Sequence, residues 1–527
     1  MAVTITVAES SAAGVALRTM KLIGIDVGTG GTRVLLVDAA GKVIGSAVQD
    51  HAPFRSPHSG WAEQDPEDWW RAAVHAIPAL LQATSTSPDE IAAVGLSGQM
   101  HGAVLLDPAD RVLRPAIIWC DQRTAAEAAW LTERLGTARL IELTSNPSLT
   151  NFTLTKLLWV RTHEPTIWQN IRSFLLPKDY VRFRLTGEKA MDVADASGTL
   201  LLDVAHRRWS AEMLAAVEIH ESILPRLHEC HDIAGAVTAE AATLIGLRAG
   251  TPVVAGAGDQ AAGALGMGIV RPGDVSATIG TSGVVFAATN RPFLDPQGRL
   301  HTFCHAVPGR WHIMGVTQAA GLSLRWFRDA FAGTSGGDAY TRLADSAASV
   351  PPGAEGLLWA PYLMGERTPH LDPEARGALV GLTVSHRSAH VVRAIMEGVA
   401  FSLKDTLSIF AELGVPVGAI RLGGGGARSP LWRQIQADVY ARPVEIVAAE
   451  EGAAYGAALL AGIGTGVWPS ADAACDAVIQ VADRIAPKPT DSAKLQDFYA
   501  LYRSLYPSLQ PVFHGLHAAT TRVKTNA

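Results

Sequence analysis

Two stretches of the chain combine glycines, hydroxyl side chains and a nearby aspartate, which are residue types that hold phosphate and metal ions. In the first stretch, an apolar strand of residues 22–25 leads to Asp26, and Gly28-Thr29-Gly30-Gly31-Thr32 leads into a second apolar strand. Glycines let backbone N–H groups come close to an anion, and threonine hydroxyls add donors. The pattern predicts a phosphate-and-metal hairpin, and the alternative is an ordinary glycine-rich β-turn.

The stretch differs from the two better-known phosphate loops. Both of those loops open a helix, and the Walker loop also requires Gly-Lys-Ser/Thr. Here residues 33–37 are mostly apolar and β-branched or aliphatic, and no lysine follows the glycines. Such residues form a strand, so the glycine turn belongs to a hairpin.

The second stretch, residues 274–286, repeats this arrangement. A strand leads to Gly280-Thr281-Ser282-Gly283 and then to another strand. A long-range internal repeat is evidence about architecture that a single motif cannot give. It predicts two duplicated domains that face one cleft, each offering a phosphate-binding hairpin.

A third segment places a carboxylate where a strand meets a helix. Residues 252–257 form a predicted strand, after which Gly258-Asp259 opens a helix of small residues that ends near residue 267. Glycine and alanine there allow close packing against a neighbouring backbone. A carboxylate at a helix N-terminus is stabilised as an anion, so we expect a lowered pKa for Asp259. Taken alone, the pattern is typical of a plain helix N-cap.

A glycine run forms the fourth segment. Residues 420–422 predict a short strand, residues 423–426 are all glycine, and a helix follows from 431 to about 440. Strand, glycines and helix in this order favour binding of a nucleotide's phosphate or adenosine edge, and the alternative is tight packing. Upstream, apolar residues at three- and four-residue spacing over 390–413 predict a long amphipathic helix.

The elements that position these segments predict an α/β layout with an antiparallel start. Three consecutive strands between residues 22 and 48 precede a helix from about 66 to 83. Strands at 91–96, 103–106 and 116–119 precede a helix that ends near 135. Residues 140–250 are more helical and irregular, which indicates an insertion.

Length and composition limit the class of protein. At 527 residues the chain exceeds the size at which single cores stop growing, which predicts two domains. The net charge of −6 argues against nucleic-acid partners. Four scattered cysteines indicate reduced thiols in a cytoplasmic protein. No apolar run reaches membrane-spanning length, and residues 1–20 are expected to form a loose extension and not a signal peptide.

Together, the two hairpins, the Gly-Asp-Gln after a strand and the glycine run before a helix resemble the FGGY family of carbohydrate kinases. The most specific match is the family's C-terminal signature, which residues 377–382 and 390–397 fit at every constrained position. The N-terminal signature around residues 153–159 fits less completely, because Asn151 departs at its first position. The resemblance covers nearly everything from residue 20 to about 485.

That family shares the actin and Hsp70 type of ATPase fold. The resemblance therefore implies two duplicated, ribonuclease H-like α/β domains that flank a catalytic cleft and close over the substrates. It implies a sugar-binding domain with the catalytic base over residues 21–268 and a nucleotide-binding domain over 269–486. Residues 1–20 would precede them, and residues 487–527 would form a C-terminal helix and tail. The sequence leaves the oligomeric state open, with a homodimer as one alternative.

Within the family, residues 98–102, 258–260 and 361–370 are most similar to members that phosphorylate D-xylulose, whereas glycerol kinases carry Arg-Glu where this chain has Met100-His101. The implied reaction transfers the ATP γ-phosphoryl group to the terminal hydroxyl of a ketopentose, with Mg²⁺ as cofactor. Another ketose or polyol, such as D-ribulose or L-xylulose, is an alternative substrate. An actin- or Hsp70-like ATPase without a sugar substrate is an alternative of another class.

The family match also implies roles for individual residues. Asp259 would contact the sugar and accept its proton, and Asp26 would hold Mg²⁺ directly or through water, unless it is only a buried turn aspartate. The side chains expected at the sugar are Met100, His101, Trp119 and Asp121, with Arg123 beside them. The residues expected to donate to phosphate oxygens are Gly28, Thr29, Gly280, Thr281 and Ser282. The residues expected to border the adenosine are Gly425, Gly426 and Ser429, with Arg428 adjacent. Glu366 and Arg367 match the family without an evident role.

Overall fold

Two mixed β-sheets with the same strand arrangement form the centre of the molecule. The computed structural model describes residues 3–7, 20–333, 338–448 and 452–525, with side chains as far as residue 520. In each sheet an antiparallel hairpin leads into parallel strands, and helices cover the faces.

The first part of the chain supplies the first sheet and most of the irregular segments. Its strands are β1 Thr4–Val7, β2 Lys21–Val27, β3 Gly31–Asp38, β4 Val43–Asp50, β5 Glu63–Gln64, β6 Ile91–Gly98, β7 Val104–Leu106, β8 Ala116–Ile117, β9 Ser173–Leu175, β10 Ala190–Asp192, β11 Leu202–Asp203, β12 Arg208–Trp209, β13 Arg226–His228, β14 Ile233–Ala236, β15 Pro252–Val254 and β16 Ala257–Gly258. Its helices are α1 Pro66–Ala83, α2 Ala125–Leu135, α3 Thr137–Thr144, α4 Thr153–His163, α5 Pro165–Asn170, α6 Pro177–Thr186, α7 Val193–Ala196, α8 Ala211–Val217, α9 Ala239–Ile245 and α10 Asp259–Gly266.

The second part of the chain supplies the second sheet. Its strands are β17 Val275–Ile279, β18 Gly283–Thr289, β19 His301–Cys304, β20 Trp311–Thr317, β21 Leu358–Ala360, β22 Ala378–Val380, β23 Ile420–Gly423, β24 Val444–Val447 and β25 Val481–Ile485. Its helices are α11 Gly321–Phe327, α12 Ala339–Ala348, α13 Ser388–Leu413, α14 Pro430–Tyr440, α15 Gly452–Gly464, α16 Ala471–Val478 and α17 Pro489–Thr525.

The first sheet has the order β1-β4-β3-β2-β6-β15-β14, with β16 also paired to β6. Strands β2, β3 and β4 are antiparallel, whereas β6 runs parallel to β2 and β15 runs parallel to β6. Strand β2 therefore lies inside the sheet, and Leu22, Ile23, Ile25 and Val27 are fully buried. Burial of both faces explains why this strand is continuously apolar and does not alternate with polar residues.

The N-terminal extension departs from the sequence-based expectation. Residues 4–7 form β1, which pairs antiparallel with β4, so this part of the extension is ordered. All four residues of β1 are exposed, which explains why no buried apolar face in the sequence predicted the strand. The backbone pairing covers the outer edge of β4, a surface that would otherwise be open to other strands. The other residues predicted to be loose, 1–2 and 8–19, lie outside the described residues.

The second sheet repeats the first and confirms the predicted duplication. Its order is β19-β20-β18-β17-β23-β24-β25. The hairpin β17–β18 takes the place of β2–β3, β20 extends it antiparallel, and β23 runs parallel to β17 as β6 runs parallel to β2. The domain bounds at residues 268 and 486 stay predictions.

The two halves meet through very close backbone packing. Helix α15 lies on β2 and β6 of the first sheet and also packs against α10. A side-chain carbon added at Gly24 or Gly95 would overlap backbone atoms of α15, and one added at Gly456 would overlap the carbonyl of Ala262 in α10. Glycine is required where backbones approach this closely. The predicted close packing of the small-residue helix α10 is confirmed.

The irregular region between residues 140 and 250 packs against the edge of the second sheet. The Asn146 side chain donates to the Thr302 carbonyl at 2.8 Å, and the Trp311 indole donates to the Val204 carbonyl at 2.7 Å. Buried side chains from this region share one apolar cluster with Phe286 of β18. The predicted insertion therefore joins the two halves on one side.

Membrane and redox features are simple. In the described part of the chain, no helix combines the length and the apolar character needed to cross a membrane. All four cysteines are free thiols.

Candidate active site

The first hairpin brings Asp26 to the end of a buried strand, as the sequence predicts. Asp26 lies opposite Arg33 across the β2–β3 pair and opposite Ser97 across the β2–β6 pair. Its Oδ1 atom is buried and has no hydrogen-bond partner among the described residues, and burial raises the pKa of Asp26 to about 6. A carboxylate oxygen without a protein partner is the type of ligand that Mg²⁺ prefers, so Asp26 fits a metal-binding role.

Asp259 is the first residue of α10, directly after β16. Strand β16 pairs with β6 so that Gly258 lies beside Gly98, which fixes the start of α10 at the carboxyl end of the sheet. Burial, together with the nearby charge of Asp26, raises the pKa of Asp259 to about 7. The prediction that this pKa is lowered is therefore wrong. Burial and the like charge of Asp26 raise the pKa by more than the N-terminus of this short helix lowers it.

Asp259 lines a cavity of about 350 Å³ between the two halves of the molecule. Gln260 and Gly263 of α10, and Met267 directly after it, continue the same wall. The opposite wall comes from the second half, where the base of the second hairpin and the glycine run lie together; its residues include Thr278, Gly423, Gly424, Gly425 and Arg428. The cavity therefore joins the candidate base to the candidate nucleotide segments.

A neighbouring cavity of about 230 Å³ contains most of the residues predicted to bind the nucleotide. The structure brings together Gly280, Thr281, Gly425, Gly426 and Ser429 along its wall. The remaining wall is mostly apolar and includes Leu324, Ala344, Met396 and Trp432. Gly425 borders both cavities, so the two spaces adjoin at the glycine run.

The hairpin turns use some of the predicted phosphate donors internally. The Gly28 N–H donates to the Gly31 carbonyl at 3.0 Å, and the Gly280 N–H donates to the Ser282 carbonyl at 2.9 Å. In this structure both N–H groups close the turns, and the phosphate-donor roles of Gly28 and Gly280 stay predictions. Ser282 is half-buried next to the tip, where Thr281 is exposed.

Thr29 is held by side chains of the first half. Its hydroxyl donates to Gln99 Oε1 at 3.3 Å and accepts from the Trp119 indole at 2.9 Å, and its carbonyl accepts from Gln64 at 2.7 Å. These contacts fix the tip of the first hairpin. They also place the half-exposed Trp119 ring against the phosphate hairpin.

Met100 and His101 follow the end of β6, on the same side as Asp259. The Met100 side chain packs so closely on Gly258 that a side-chain carbon there would lie 2.9 Å from Met100 Cγ. His101 has a backbone φ of 68°, and its Nδ1 lies 2.8 Å from the Gly198 carbonyl oxygen. Burial lowers the pKa of His101 to about 3, so the imidazole is neutral. Met100 therefore lies beside the residue that precedes Asp259, and His101 lies beside Gly198.

Asp121 does not reach this site. Its side chain is fully buried, accepts from the Ala62 N–H at 2.5 Å, and forms an ion pair with Arg123 at 2.7 Å. Arg123 in turn lies over the Trp61 ring, with its guanidinium carbon 3.7 Å from the centroid. The expectation that Asp121 contacts the sugar is wrong, because both of its oxygens are occupied in holding the loop after β8.

The arrangement of the two hairpins, the strand-end carboxylates and the glycine run can be compared with known families. The model of the FGGY family of carbohydrate kinases, N-terminal domain, matches residues 21–266, and that of its C-terminal domain matches residues 275–465. The chain belongs to the FGGY family of carbohydrate kinases. The resemblance in the motifs and the duplicated fold are thereby confirmed.

Relatives of this FGGY kinase are similar along most of its length. The xylulose kinase of Bacillus subtilis is 40% identical over 92% of this chain and 96% of its own, and that of Escherichia coli is 43% identical over 84% and 89%. The crystal structure titled a xyloylose kinase, from Brucella ovis, has a TM-score of 0.87 at 38% identity, covering 93% of this chain and 100% of its own.

The sequence did not predict the contacts of two features of this FGGY kinase, the pair Glu366-Arg367 and Lys156. Glu366 is buried and accepts from the Thr317 hydroxyl at 2.6 Å and from the Gln318 N–H at 3.0 Å, which ties the loop after β21 to the end of β20. The Arg367 guanidinium lies 2.6 Å from His301 Nε2. Lys156, in the incompletely matching signature, contacts the backbone of His101. The family signature pointed to Lys156, but no local pattern showed what it contacts.

Proposed function

We propose that this protein transfers the γ-phosphoryl group of ATP to the terminal hydroxyl of D-xylulose, giving D-xylulose 5-phosphate. The observation that carries the proposal is the position of Asp259, whose carboxylate lines the cavity that also contains the glycine run and Arg428. Relatives named xylulose kinases, similar over nearly the whole chain, favour this sugar over other ketoses. Residues 21–268 would carry the sugar site and residues 269–486 most of the nucleotide site.

Asp259 is proposed to accept the proton of the sugar hydroxyl. A general base is most effective when its pKa lies near the operating pH, and the pKa of Asp259 is raised to about 7. In a loose transition state the hydroxyl becomes acidic late, so the carboxylate positions the nucleophile first and receives the proton afterwards. The plain N-cap alternative does not explain why a half-buried carboxylate would lie near a second carboxylate.

The nucleotide would lie across the two cavities that share Gly425. The apolar walls at Leu324, Met396 and Trp432 suit the adenine ring, and the glycine run lets the phosphates pass close to the backbone toward Asp259. Exposed Thr281, at the tip of the second hairpin, lines the apolar cavity and offers a hydroxyl to the phosphates.

A divalent cation fits beside Asp26. Across the described residues, no three His, Cys, Asp or Glu side chains converge on a point that could hold a metal ion. Mg²⁺ commonly uses one or two carboxylates together with substrate phosphates, and Asp26 Oδ1 is a buried oxygen without a hydrogen-bond partner in the described part of the chain. When bound, Mg²⁺ would neutralise charge that develops on the β- and γ-phosphates.

The sugar would occupy the space in front of Met100 and His101. Met100 gives an apolar surface, and His101 gives a neutral imidazole that hydrogen-bonds without adding charge. The protein is proposed to act in the cytoplasm, which agrees with four free thiols.

The proposal is tested by a coupled ADP-release assay over a panel of ketopentoses, polyols and hexuloses. We expect the highest kcat/KM with D-xylulose, and phosphorus NMR of the product should show the ester on the terminal oxygen. A higher kcat/KM with D-ribulose or L-xylulose would replace the substrate and keep the chemistry. ADP release that no sugar stimulates would instead support an ATPase of the actin or Hsp70 type.

A further inference from the structure

Lys156 of α4 is a buried cation that contacts backbone carbonyls. Its side chain is fully buried, and its ammonium donates to the carbonyls of His101 at 3.1 Å, Phe152 at 3.3 Å and Asn151. In the described part of the chain, no carboxylate lies within ion-pair distance of it. Burying a charge without a carboxylate partner is costly, and here burial lowers the pKa of Lys156 to about 7.

The carbonyl of His101 is the long-range target of this ammonium. His101 has a φ of 68°, a left-handed conformation that is uncommon outside glycine. Its carbonyl accepts from Lys156 and also from the Thr153 hydroxyl at 3.2 Å. Two donors from one helix therefore hold a peptide group in a conformation that it would otherwise rarely adopt.

The His101 ring is fixed from the other side. A carbonyl oxygen can only accept a hydrogen bond, so Nδ1, which lies 2.8 Å from the Gly198 carbonyl, carries the ring proton. Because the imidazole is neutral, Nε2 carries a lone pair. Among the described residues, Nε2 has no hydrogen-bond partner. Gly198 has to be glycine, because a side-chain carbon there would lie 2.7 Å from Nδ1.

Ring packing restrains the same imidazole. The Phe152 ring meets His101 edge-on at 5.1 Å between centroids, and the Phe303 ring of β19 lies at 6.3 Å. Phe152 is directly followed by Thr153 in the chain, so the residue that packs on the ring and the residues that hold its carbonyl belong to one helix start. The orientation of His101 is therefore set by the beginning of α4.

We propose that Lys156 and Thr153 are positioning residues that fix His101 as a hydrogen-bond acceptor for one hydroxyl of the sugar. The sugar part of this inference rests on the proposed function. An imidazole lone pair accepts from a hydroxyl but cannot donate to a ketone oxygen. His101 therefore selects a sugar that presents a hydroxyl at this position, and an analogue that lacks the hydroxyl leaves a buried nitrogen unpaired.

The kinetic test compares two threonines of α4. Thr153→Val removes the hydroxyl that donates to His101, whereas Thr155→Val removes an equally buried hydroxyl that donates to the Phe152 carbonyl at 2.8 Å. We expect Thr153→Val and Lys156→Met each to raise the sugar KM about tenfold. Each variant loses one hydrogen bond to the His101 carbonyl, and a factor of about ten is the typical effect of losing one hydrogen bond from a polar or charged donor. Their KM for ATP and the KM values of Thr155→Val should stay unchanged. Equal sugar KM values in the two threonine variants would overturn the proposal.

A second measurement is independent of activity and of the identity of the sugar. Nitrogen-15 NMR of histidine-labelled protein, with the His101 signals assigned from His101→Gln, reports which ring nitrogen carries the proton. We expect a neutral ring protonated at Nδ1 in the wild type and a changed pattern in Lys156→Met. A ring protonated at Nε2 in the wild type contradicts the positioning role, even if D-xylulose is the substrate. If the ring is protonated at Nδ1 but D-xylulose is not phosphorylated, the proposed function is overturned and the positioning of His101 still stands.

Discussion

The charge of Asp26 raises the pKa of Asp259, although the two residues belong to different elements. Both positions follow from pairing with β6. Strand β2 places Asp26 beside Ser97 on one side of β6, and β16 places Gly258 beside Gly98 on the other. Carboxyl ends of parallel strands meet at one edge of a sheet, so both carboxylates lie at the same edge. One of them fits the metal side and the other the proton-accepting side of phosphoryl transfer.

This relationship predicts a measurable shift on substitution. In protein free of nucleotide and metal, carbon-13 NMR of labelled aspartate should give an apparent pKa of about 7 for Asp259. Asp26→Asn should lower that pKa, because removing a neighbouring negative charge favours ionisation, and burial should keep it above the ordinary 3.8. If the pKa of Asp259 is unchanged in Asp26→Asn, burial accounts for the whole shift and Asp26 contributes nothing to it. In the wild type, kcat/KM for the sugar should fall as the pH drops below this pKa, since protonated Asp259 cannot accept a proton.

Removal of the proposed base should separate chemistry from binding. Asp259→Asn keeps the shape of the side chain but cannot accept a proton, so we expect kcat to fall at least ~10²-fold. Sugar affinity, measured by calorimetry, should be retained, because the amide still hydrogen-bonds a hydroxyl. Near-normal turnover would remove Asp259 from the mechanism. Circular dichroism melting of the variant controls for loss of fold.

Local patterns were sufficient to predict the two glycine hairpins, the helix over residues 66–83 and the strand–glycine–helix order over residues 420–440. Gly28-Thr29-Gly30-Gly31 can form only a tight turn between apolar strands, and the helix Pro66–Ala83 begins and ends at the predicted residues. The glycine run before Ser429 forms part of the wall of the apolar cavity proposed for the nucleotide. These features depend on neighbours within a few residues, which a sequence shows directly.

The failures concern residues whose surroundings come from distant parts of the chain. The pKa of Asp259 depends on burial and on Asp26, neither of which a helix-end argument includes. Asp121 is engaged by Arg123 and by the Ala62 N–H, which is 59 positions away in sequence. Lys156 lies in the incompletely matching signature, and its contact with His101 spans 55 positions. Burial and long-range partners decide roles that residue type leaves open.

The crossing of α10 and α15 should tolerate no added carbon at Gly456. A side chain there would overlap the Ala262 carbonyl, and overpacking of this kind typically costs about 1–3 kcal/mol or more. We expect Gly456→Ala to lower the free energy of unfolding by at least about 2 kcal/mol in urea titrations. Gly263→Ala in α10 is the matched control, because no atom lies within 4 Å of an added carbon. Helix propensity should make that variant neutral or more stable by up to about 1 kcal/mol.

Filling the apolar cavity should weaken nucleotide binding selectively. Ala344 of α12 lines this cavity, whereas Ala348, one turn later, is exposed. Ala344→Leu places three extra carbons where the base would lie, and we expect the KM for ATP to rise about tenfold, equivalent to about 1.4 kcal/mol. Ala348→Leu should leave the KM for ATP unchanged, and neither variant should alter the KM for the sugar. Equal ATP affinity in both variants would show that the nucleotide base lies elsewhere.

The arrangement of two halves around one cleft also indicates how water is kept from the phosphoryl group. Closing the cleft around both substrates would exclude water, which otherwise takes the phosphoryl group. ATP hydrolysis without sugar should therefore be slow but measurable, and 5-deoxy-D-xylulose, which lacks the acceptor hydroxyl, should stimulate it by promoting closure. The measurement is ADP release with no sugar, with the deoxy analogue and with D-xylulose. Hydrolysis as fast as the kinase reaction would contradict closure. Binding of the analogue without stimulation would mean that the sugar fills its site without closing the cleft.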